Sequence, residues 1–292
     1  MTNALAKQID NIPMLPSVIT QLLSLSVDDP DYFNKVIKLA ESDPTFAIRI
    51  IKLSNTVPFG IRSPIVSIHD AVIRVGIDQI HNLLASIAVT LVFVPVTDAE
   101  KRLWQHSLEV ACLARLIASH LKECHVKPEQ AYLAGLLHDL GLFLRFQESQ
   151  NKFNHIDDYV WSTPAQFVES EKQLFDEPHA VLSEQICRHW KIPKCISNIV
   201  AHHHHYELSA HHELNEEEMH LVRIIQLSDL CSEMVYHIKG VTKKTVIQEV
   251  KHIMPLAEWA RAHLNSIKAL DDGKVALEYA HKIYKEILHL CV

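Results

Sequence analysis

A His-Asp pair interrupts an otherwise apolar run of the sequence between Ala134 and Phe143. The pair is His138 and Asp139, and every other residue of the run is alanine, glycine, leucine or phenylalanine. A helical segment of this composition normally faces a protein core, where an ionisable pair without partners costs several kcal/mol. The pair therefore predicts a buried site in which both side chains are neutralised, hydrogen-bonded or bound to a metal ion.

The remaining sequence is typical of a helical protein. Only six of the 292 residues are glycine, and the alternation of apolar and polar residues that marks strands is scarce. We predict an all-α fold, built as one large helical domain or as two packed lobes. A break at 94–98 predicts an N-terminal helical lobe over 1–95 and a lobe that carries the site over 96–238. Amphipathic helices are expected over 239–292.

Charge and cysteine content limit the classes of partner. The net charge is −7 with histidine neutral, and no basic run stands out, which weighs against nucleic acid as the main ligand. The six cysteines form no Cys-x-x-Cys pair, and the first 16 residues lack the pattern of a signal peptide. We therefore expect a cytoplasmic protein with reduced thiols. The apolar stretch 83–96 is too short to span a membrane, so it is expected to form a buried helix.

Further histidines and an aspartate fall on apolar helical faces outside the His-Asp pair. His106 lies three residues after Leu103 and four before Val110, which places it on the inward side of its helix. The same spacing rule selects His203 and Asp229, while His179 begins a helix and His202 adjoins His203. Each of these, taken alone, can be a hydrogen-bonded core residue or a metal ligand. His204 and His205 are expected at the exposed end of the run, without a function.

The inward residues together favour a metal site, because several different helices each contribute one. Imidazoles and carboxylates suit divalent Fe, Mn, Zn or Ni, in one or two ions per chain, as well as Mg and Co. No thiolate belongs to the set, which disfavours structural zinc. A second His-Asp pair, His69-Asp70, follows Ser67 at a helix start and is expected to serve in surface capping.

The order His106, His138-Asp139 and Asp229 resembles that of the HD superfamily of metal-dependent phosphohydrolases. His179 and the pair His202-His203 resemble the two-metal arrangement of its HD-GYP branch. Residues 8–235 resemble more specifically an HDOD domain (HD-related output domain). The matching N-terminal stretches are Ile12–Ser17, Glu41–Pro44, Ile50–Asn55, Phe59-Gly60 and Ser67–Gly76.

This resemblance implies a helical HD-superfamily core behind an N-terminal lobe, with His106, His138, Asp139 and Asp229 holding one metal. His179 and His202 or His203 would serve a second metal, and Asp139, the catalytic carboxylate, would bridge both. Arg145 would contact phosphate, unless it is a surface arginine in a salt bridge. Two features depart from HD-GYP enzymes: Leu142 stands where a lysine is common, and no Gly-Tyr-Pro signature follows His203.

Three functions follow from these patterns. The first is a signalling protein that retains the metal site as a phosphohydrolase or phosphodiesterase, acting on a phosphate-containing or nucleotide ligand. The second is a non-catalytic module in which metal or nucleotide regulates contact with a signalling protein partner. The third is a structural core of histidines without metal. No membrane partner is expected in any of them.

Overall fold

The computed structural model describes residues 9–15, 17–25, 29–42, 47–48, 50–51, 54–55, 65–148, 164–175, 177–208, 212–232 and 259. Within these ranges all regular structure is helical, which confirms the predicted all-α class. The α-helices are α1 (Ser17–Ser24), α2 (Tyr32–Glu41), α3 (Ile68–Val75), α4 (Ile77–Val92), α5 (Asp98–His120), α6 (Pro128–Leu137), α7 (Leu140–Glu148), α8 (Pro164–Leu174), α9 (His179–His189), α10 (Lys194–His202) and α11 (Glu216–Cys231).

The first four helices pack against one another around apolar side chains such as Leu22, Val36 and Val72. The start of α3 is capped as the sequence predicts, because the Ser67 hydroxyl accepts a hydrogen bond from the Asp70 amide at 3.0 Å. Gly76 separates α3 from α4 with a φ of 93°. That conformation favours glycine, so a sharp bend joins the two helices.

Helix α5 begins at Asp98, the last residue of the break predicted at 94–98. Thr97 accepts a hydrogen bond from the Glu100 amide, and the Glu100 carboxylate accepts one from the Thr97 amide. This reciprocal capping box fixes the direction in which the longest described helix leaves the first four. Its orientation matters because His106 lies two turns further along.

The second group of helices is built around α5, which packs on α6 and α11, while α9 packs on α7 and α10. Gly135 lets α5 and α6 approach closely, because a Cβ at this position would lie 2.8 Å from the Ala111 Cα. The two groups share one continuous core. Trp190 donates to the Pro13 carbonyl at 3.0 Å, and the Ser86 and Tyr132 hydroxyls lie 2.8 Å apart.

Other sequence predictions are only partly covered by the described residues. The C-terminal helices expected over 239–292 lie outside them except for Trp259, and the division at residue 95 stays a prediction. The apolar stretch 83–96 contributes buried side chains of α4 and the following Phe93. None of the described helices combines the length and the apolar character that crossing a bilayer requires.

Candidate metal centre

Asp139 lies at the centre of a buried cluster to which five helical segments contribute. Asp139 and His138 occupy the junction between α6 and α7, and His106 projects from the third turn of α5. The other members lie at or near helix ends. They are His179 at the start of α9, His203 and His204 directly after α10, and Asp229 near the end of α11.

One set of side chains surrounds the Oδ2 atom of Asp139, and we call it the first half-site. The Nε2 atoms of His106 and His138 lie 3.4 Å and 3.2 Å from Asp139 Oδ2. His106 Nε2 is also 3.2 Å from Asp229 Oδ1. The first half-site therefore offers two imidazoles and two carboxylates.

A second set surrounds the other oxygen of Asp139, and we call it the second half-site. The Nε2 atoms of His179 and His203 lie 3.1 Å and 3.6 Å from Asp139 Oδ1. His179 Nε2 is 3.3 Å from His203 Nε2 and 3.1 Å from His204 Nε2. Three ring nitrogens thus converge on one point beside a single carboxylate oxygen, an arrangement that needs a proton or a cation between them.

The opposite nitrogen has a partner that fixes the ring's orientation in His106, His138, His179 and His203, whereas the Nδ1 atom of His204 is buried without one among the described residues. His138 Nδ1 donates to the Gly135 carbonyl at 2.7 Å, and His203 Nδ1 donates to the Val200 carbonyl at 2.6 Å. A ring whose Nδ1 carries the proton presents an Nε2 lone pair to the centre of the cluster, as metal-binding histidines do.

Two carboxylates that sequence analysis missed support the rings of His179 and His106. Glu171, fully buried on α8, accepts from both His179 Nδ1 at 2.7 Å and the His179 amide at 2.8 Å. His106 Nδ1 lies 2.9 Å from the Ser232 hydroxyl, which donates to Glu109 Oε2 at 2.6 Å. Glu171 lies four residues after Phe167 and four before Phe175, so the spacing rule that selects His106 would also have selected it.

The charges of the cluster shift several pKa values. Burial alone would lower the pKa of His106, but hydrogen bonds with Asp139 and Asp229 outweigh it and raise the pKa to about 10. Burial would also lower the pKa of His179, but the carboxylates of Glu171 and Asp139 outweigh it and raise this pKa to about 10. Burial lowers the pKa of His204 well below its usual value, and the neighbouring His203 lowers it further. Without a metal the cluster therefore holds protons on two of its rings.

Three residues singled out from sequence lie elsewhere than expected. His202 points away from Asp139, because its Nε2 lies 2.9 Å from Glu213 Oε1 and its Nδ1 2.8 Å from the Asn198 carbonyl. His204, expected at the exposed end of the run, takes a place in the second half-site instead. Arg145 is buried rather than on the surface.

The surroundings of Arg145 explain its burial. Its guanidinium donates to the Glu177 carbonyl at 2.7 Å and lies over the Phe175 ring, 4.4 Å from the centroid. These contacts tie α7 to the segment that precedes α9. A role for Arg145 in phosphate binding stays a prediction.

The donor set fits metal ions. Ligand atoms of His106, His138 and Asp139 lie within 4.8 Å of one another, as do those of Asp139, His179, His203 and His204. Asp229 adjoins the first set through His106. His138 Nε2 is buried and makes no hydrogen bond within the described part of the chain, although Asp139 is near. A buried polar atom without a partner requires an explanation, and a metal ion would supply its missing partner.

Comparison with known proteins identifies the family. A family model for the HDOD domain matches residues 12–206. The chain belongs to the HDOD family. An uncharacterised protein of Treponema pallidum (strain Nichols) is 26% identical over 215 residues, which cover 69% of this chain and 39% of the relative. The HDOD chain therefore spans well under half the length of this curated relative.

Solved structures show the same fold. A candidate phosphohydrolase of Shewanella amazonensis aligns over 100% of this chain and 99% of its own, at 18% identity and a TM-score of 0.68. An HDOD domain protein with unknown function from Geobacter sulfurreducens covers 88% of this chain and 96% of its own, at 22% identity and a TM-score of 0.64. These similarities confirm the all-helical fold, which the chain shares with an HDOD domain protein.

Proposed function

We propose that this HDOD protein binds two divalent metal ions, one on each side of Asp139, and hydrolyses phosphate esters as part of a signalling role. The observation that carries the proposal is the separation of the two Asp139 oxygens. Oδ2 faces His106 and His138, while Oδ1 faces His179 and His203. A carboxylate with imidazole nitrogens around each oxygen is suited to bridge two cations.

Charge balance supports two ions rather than one. The carboxylates in or directly behind the cluster are Asp139, Asp229, Glu109 and Glu171, and all are buried. When they are ionised and the imidazoles neutral, the cluster carries four negative charges, which two divalent cations neutralise. Uncompensated charge in a buried site is strongly disfavoured, so the pairing of two M²⁺ ions with these four groups is favourable.

Different residues would have different roles in such a site. Metal ions held there would polarise a phosphoryl oxygen and lower the pKa of a water molecule. The Nε2 atoms of the two half-sites would hold the cations, and Asp139 would lie between them. Glu171 and the Ser232–Glu109 pair keep their histidines in the tautomer that binds metal, because each accepts the ring's Nδ1 proton directly or through a hydroxyl.

Turnover by metal-loaded protein tests the proposed activity. Protein reconstituted with Mn, Fe, Zn or Ni is expected to hydrolyse bis(p-nitrophenyl) phosphate or p-nitrophenyl phosphate, and chelation is expected to abolish the reaction. Metal-dependent release of p-nitrophenol from wild type but not from Asp139→Asn would support it. Fully loaded protein that cleaves neither compound would contradict catalysis.

A non-catalytic signalling module is the second candidate, and Leu142 favours it. Leu142 is buried and apolar, so position 142 supplies no cation for a phosphate group. In this alternative the metal site is retained but serves regulation. A nucleotide that binds the loaded protein and is recovered unchanged would favour it over hydrolysis.

Replacing Glu171 by Gln is expected to lower the metal affinity of the second half-site and to leave that of the first unchanged. The amide keeps the size of the side chain but loses the charge that orients His179 and makes its ring more basic. Changes of this kind typically cost about 10- to 100-fold in metal affinity. Metal analysis after dialysis against a weak chelator should show loss of one ion of two. Glu169→Gln, on the exposed side of the same helix, is the control and should keep both; loss of neither ion from Glu171→Gln would contradict the role.

Metal affinity is expected to rise with pH. In metal-free protein the pKa values of His106 and His179 are about 10, so both rings are protonated at neutral pH and metal binding must displace those protons. Each displaced proton makes the affinity rise by up to about tenfold per pH unit below pH 10. Chelator competition at pH 6.5, 7.5 and 8.5 measures the slope, and a flat profile would contradict the assignment.

Protonation of His106 and His179 also determines how the stability of the metal-free protein depends on pH. Because the folded-state pKa of these histidines exceeds the usual 6.5, their stabilisation of metal-free protein is complete below pH 6.5. It is lost as the pH rises towards 10. The Tm of metal-free protein should fall over this range, while that of loaded protein should change little. An equal fall in both would contradict the account.

A further inference from the structure

Solvent reaches the buried metal centre on one side of the first half-site. The side chains of His106 and Asp139 are each 8% exposed, and that of Asp229 is 11% exposed. His138, the remaining member of the first half-site, is only 1% exposed. The accessible side of this half-site is therefore the one formed by His106, Asp139 and Asp229.

The second half-site is less accessible. The side chains of His179 and His203 are 1% and 0% exposed. His204 is partly exposed as a residue, but its Nδ1 atom is buried and its Nε2 atom lies 3.1 Å from His179 Nε2. Because the polar atoms of this half-site face the interior, we expect a phosphate group to enter from the side of His106 and Asp229.

A phosphate group that enters there needs a positive charge besides the metal ions. Two divalent ions would neutralise the four buried carboxylates of the centre and leave no net charge to attract an anion. Leu142, at the position after the His-Asp pair where a cation would be useful, is apolar. Arg145 is buried, and its guanidinium already contacts the Glu177 carbonyl and the Phe175 ring. A cation for the phosphate is therefore expected on another element.

Arg102 is placed to supply this charge. It precedes His106 by four residues, so the two lie on the same side of α5, one turn apart. Helical side chains lean towards the N-terminus of their helix, which brings the His106 ring over the turn that contains Arg102. Arg102 is exposed, and its guanidinium has no hydrogen bond or ion pair with any described residue. The adjacent Lys101, by contrast, lies further round the helix and is paired with Asp98 at 3.1 Å.

Cations on two other helices of the centre are less suited to this role. Arg223 on α11 is buried, and its guanidinium donates to Gln226 Oε1 at 3.0 Å. Lys172 lies with Glu169 on the exposed side of α8, which is turned away from the centre. Arg102 is therefore better placed than either for a phosphate group at the accessible side of the first half-site.

We propose that Arg102 binds the phosphoryl group of the substrate at the accessible side of the first half-site, an inference that rests on the proposed two-metal function. Its guanidinium would donate two hydrogen bonds to non-bridging phosphoryl oxygens, a geometry that suits arginine better than lysine. Its charge would compensate negative charge that the phosphate brings to the centre. Arg102 would thus contribute to the affinity for substrate and not to the affinity for metal.

Calorimetric titration of the metal-loaded full chain with inorganic phosphate tests the proposal without requiring turnover. Arg102→Gln is expected to weaken phosphate binding by about tenfold or more, because a hydrogen bond to a charged group is lost. Arg102→Lys should recover part of this loss, since lysine keeps the charge but not the paired donors. Both variants should keep the metal content of wild type.

Lys101→Gln is the matched control, because it removes the same charge from the neighbouring exposed position of α5. It should change phosphate affinity by less than about twofold at 0.15 M salt, where charges further apart than about 8 Å are largely screened. In turnover of p-nitrophenyl phosphate, Arg102→Gln should raise KM by about tenfold, with a smaller change in kcat. Lys101→Gln should leave both constants unchanged.

Metal content, measured before each titration, separates this inference from the proposed function. A chain that takes up no metal would contradict the proposed function and the inference that rests on it. Loaded wild type that binds no phosphate, loaded Arg102→Gln that binds phosphate as tightly as wild type, or equal losses in Arg102→Gln and Lys101→Gln would overturn the role of Arg102 alone.

Discussion

Asp139→Asn is expected to lose both metal ions. Wild-type protein purified without chelators should contain close to two divalent ions per chain, and the variant should contain almost none. The reason is geometric, because each oxygen of Asp139 serves a different half-site. The amide keeps the size of the side chain but loses the negative charge and puts a donor NH₂ group among imidazole nitrogens. Elemental analysis of both proteins measures the effect.

The control for this loss is Asp98→Asn, an exposed aspartate at the start of α5. It should keep the wild-type metal content. Asp139→Asn protein that is folded, as judged by its circular dichroism, and still binds two ions would contradict the bridging role. Loss of one ion only would assign Asp139 to a single half-site.

Gly141→Ala is expected to displace α9 and with it His179. A Cβ at position 141 would lie 2.2 Å from the His179 carbonyl oxygen and 2.8 Å from the Leu182 Cβ. The Gly141 amide also donates to the Ser183 hydroxyl at 2.8 Å. Because the backbone of α9 cannot move aside as a flexible side chain can, we expect the free energy of unfolding to fall by about 3 kcal/mol or more. This corresponds to a fall in Tm of about 10 °C, with loss of metal from the second half-site.

Gly76→Ala provides the matched comparison for Gly141→Ala. A Cβ at Gly76 would meet nothing within 4 Å, but its φ of 93° is unfavourable for alanine. We expect a smaller destabilisation of about 1–2 kcal/mol from backbone strain and an unchanged metal content, because the residue lies between α3 and α4. Equal metal loss in both variants, or none in Gly141→Ala, would contradict the steric account.

The sequence is informative where a helical period carries the residue into the core. His106 lies inside α5 and Asp229 inside α11, so their spacing from apolar neighbours predicts burial correctly. His138-Asp139 is informative for another reason, since few structural roles place an ionisable pair in an apolar run. Pro178 before His179 also marks the helix start that the structure shows.

The sequence is less informative beyond helix ends. Helix α10 ends at His202, so the helical period no longer determines where the following residues point. The chain turns there, and His204 rather than His202 reaches the second half-site. The contact between Ser232 and Glu109 joins the end of α11 to α5, and the two residues are 123 positions apart in the sequence. The local sequence pattern around either residue contains no information on such a pairing.

The most direct test of the two-metal account is a crystal structure of the loaded protein, with anomalous diffraction data collected at the absorption edge of the bound metal. The account predicts two anomalous peaks about 3.5–4 Å apart, one beside each oxygen of Asp139. The first should contact His106, His138 and Asp229, and the second His179, His203 and His204. A single peak in metal-saturated crystals, or a second peak that lies away from His179, would contradict it.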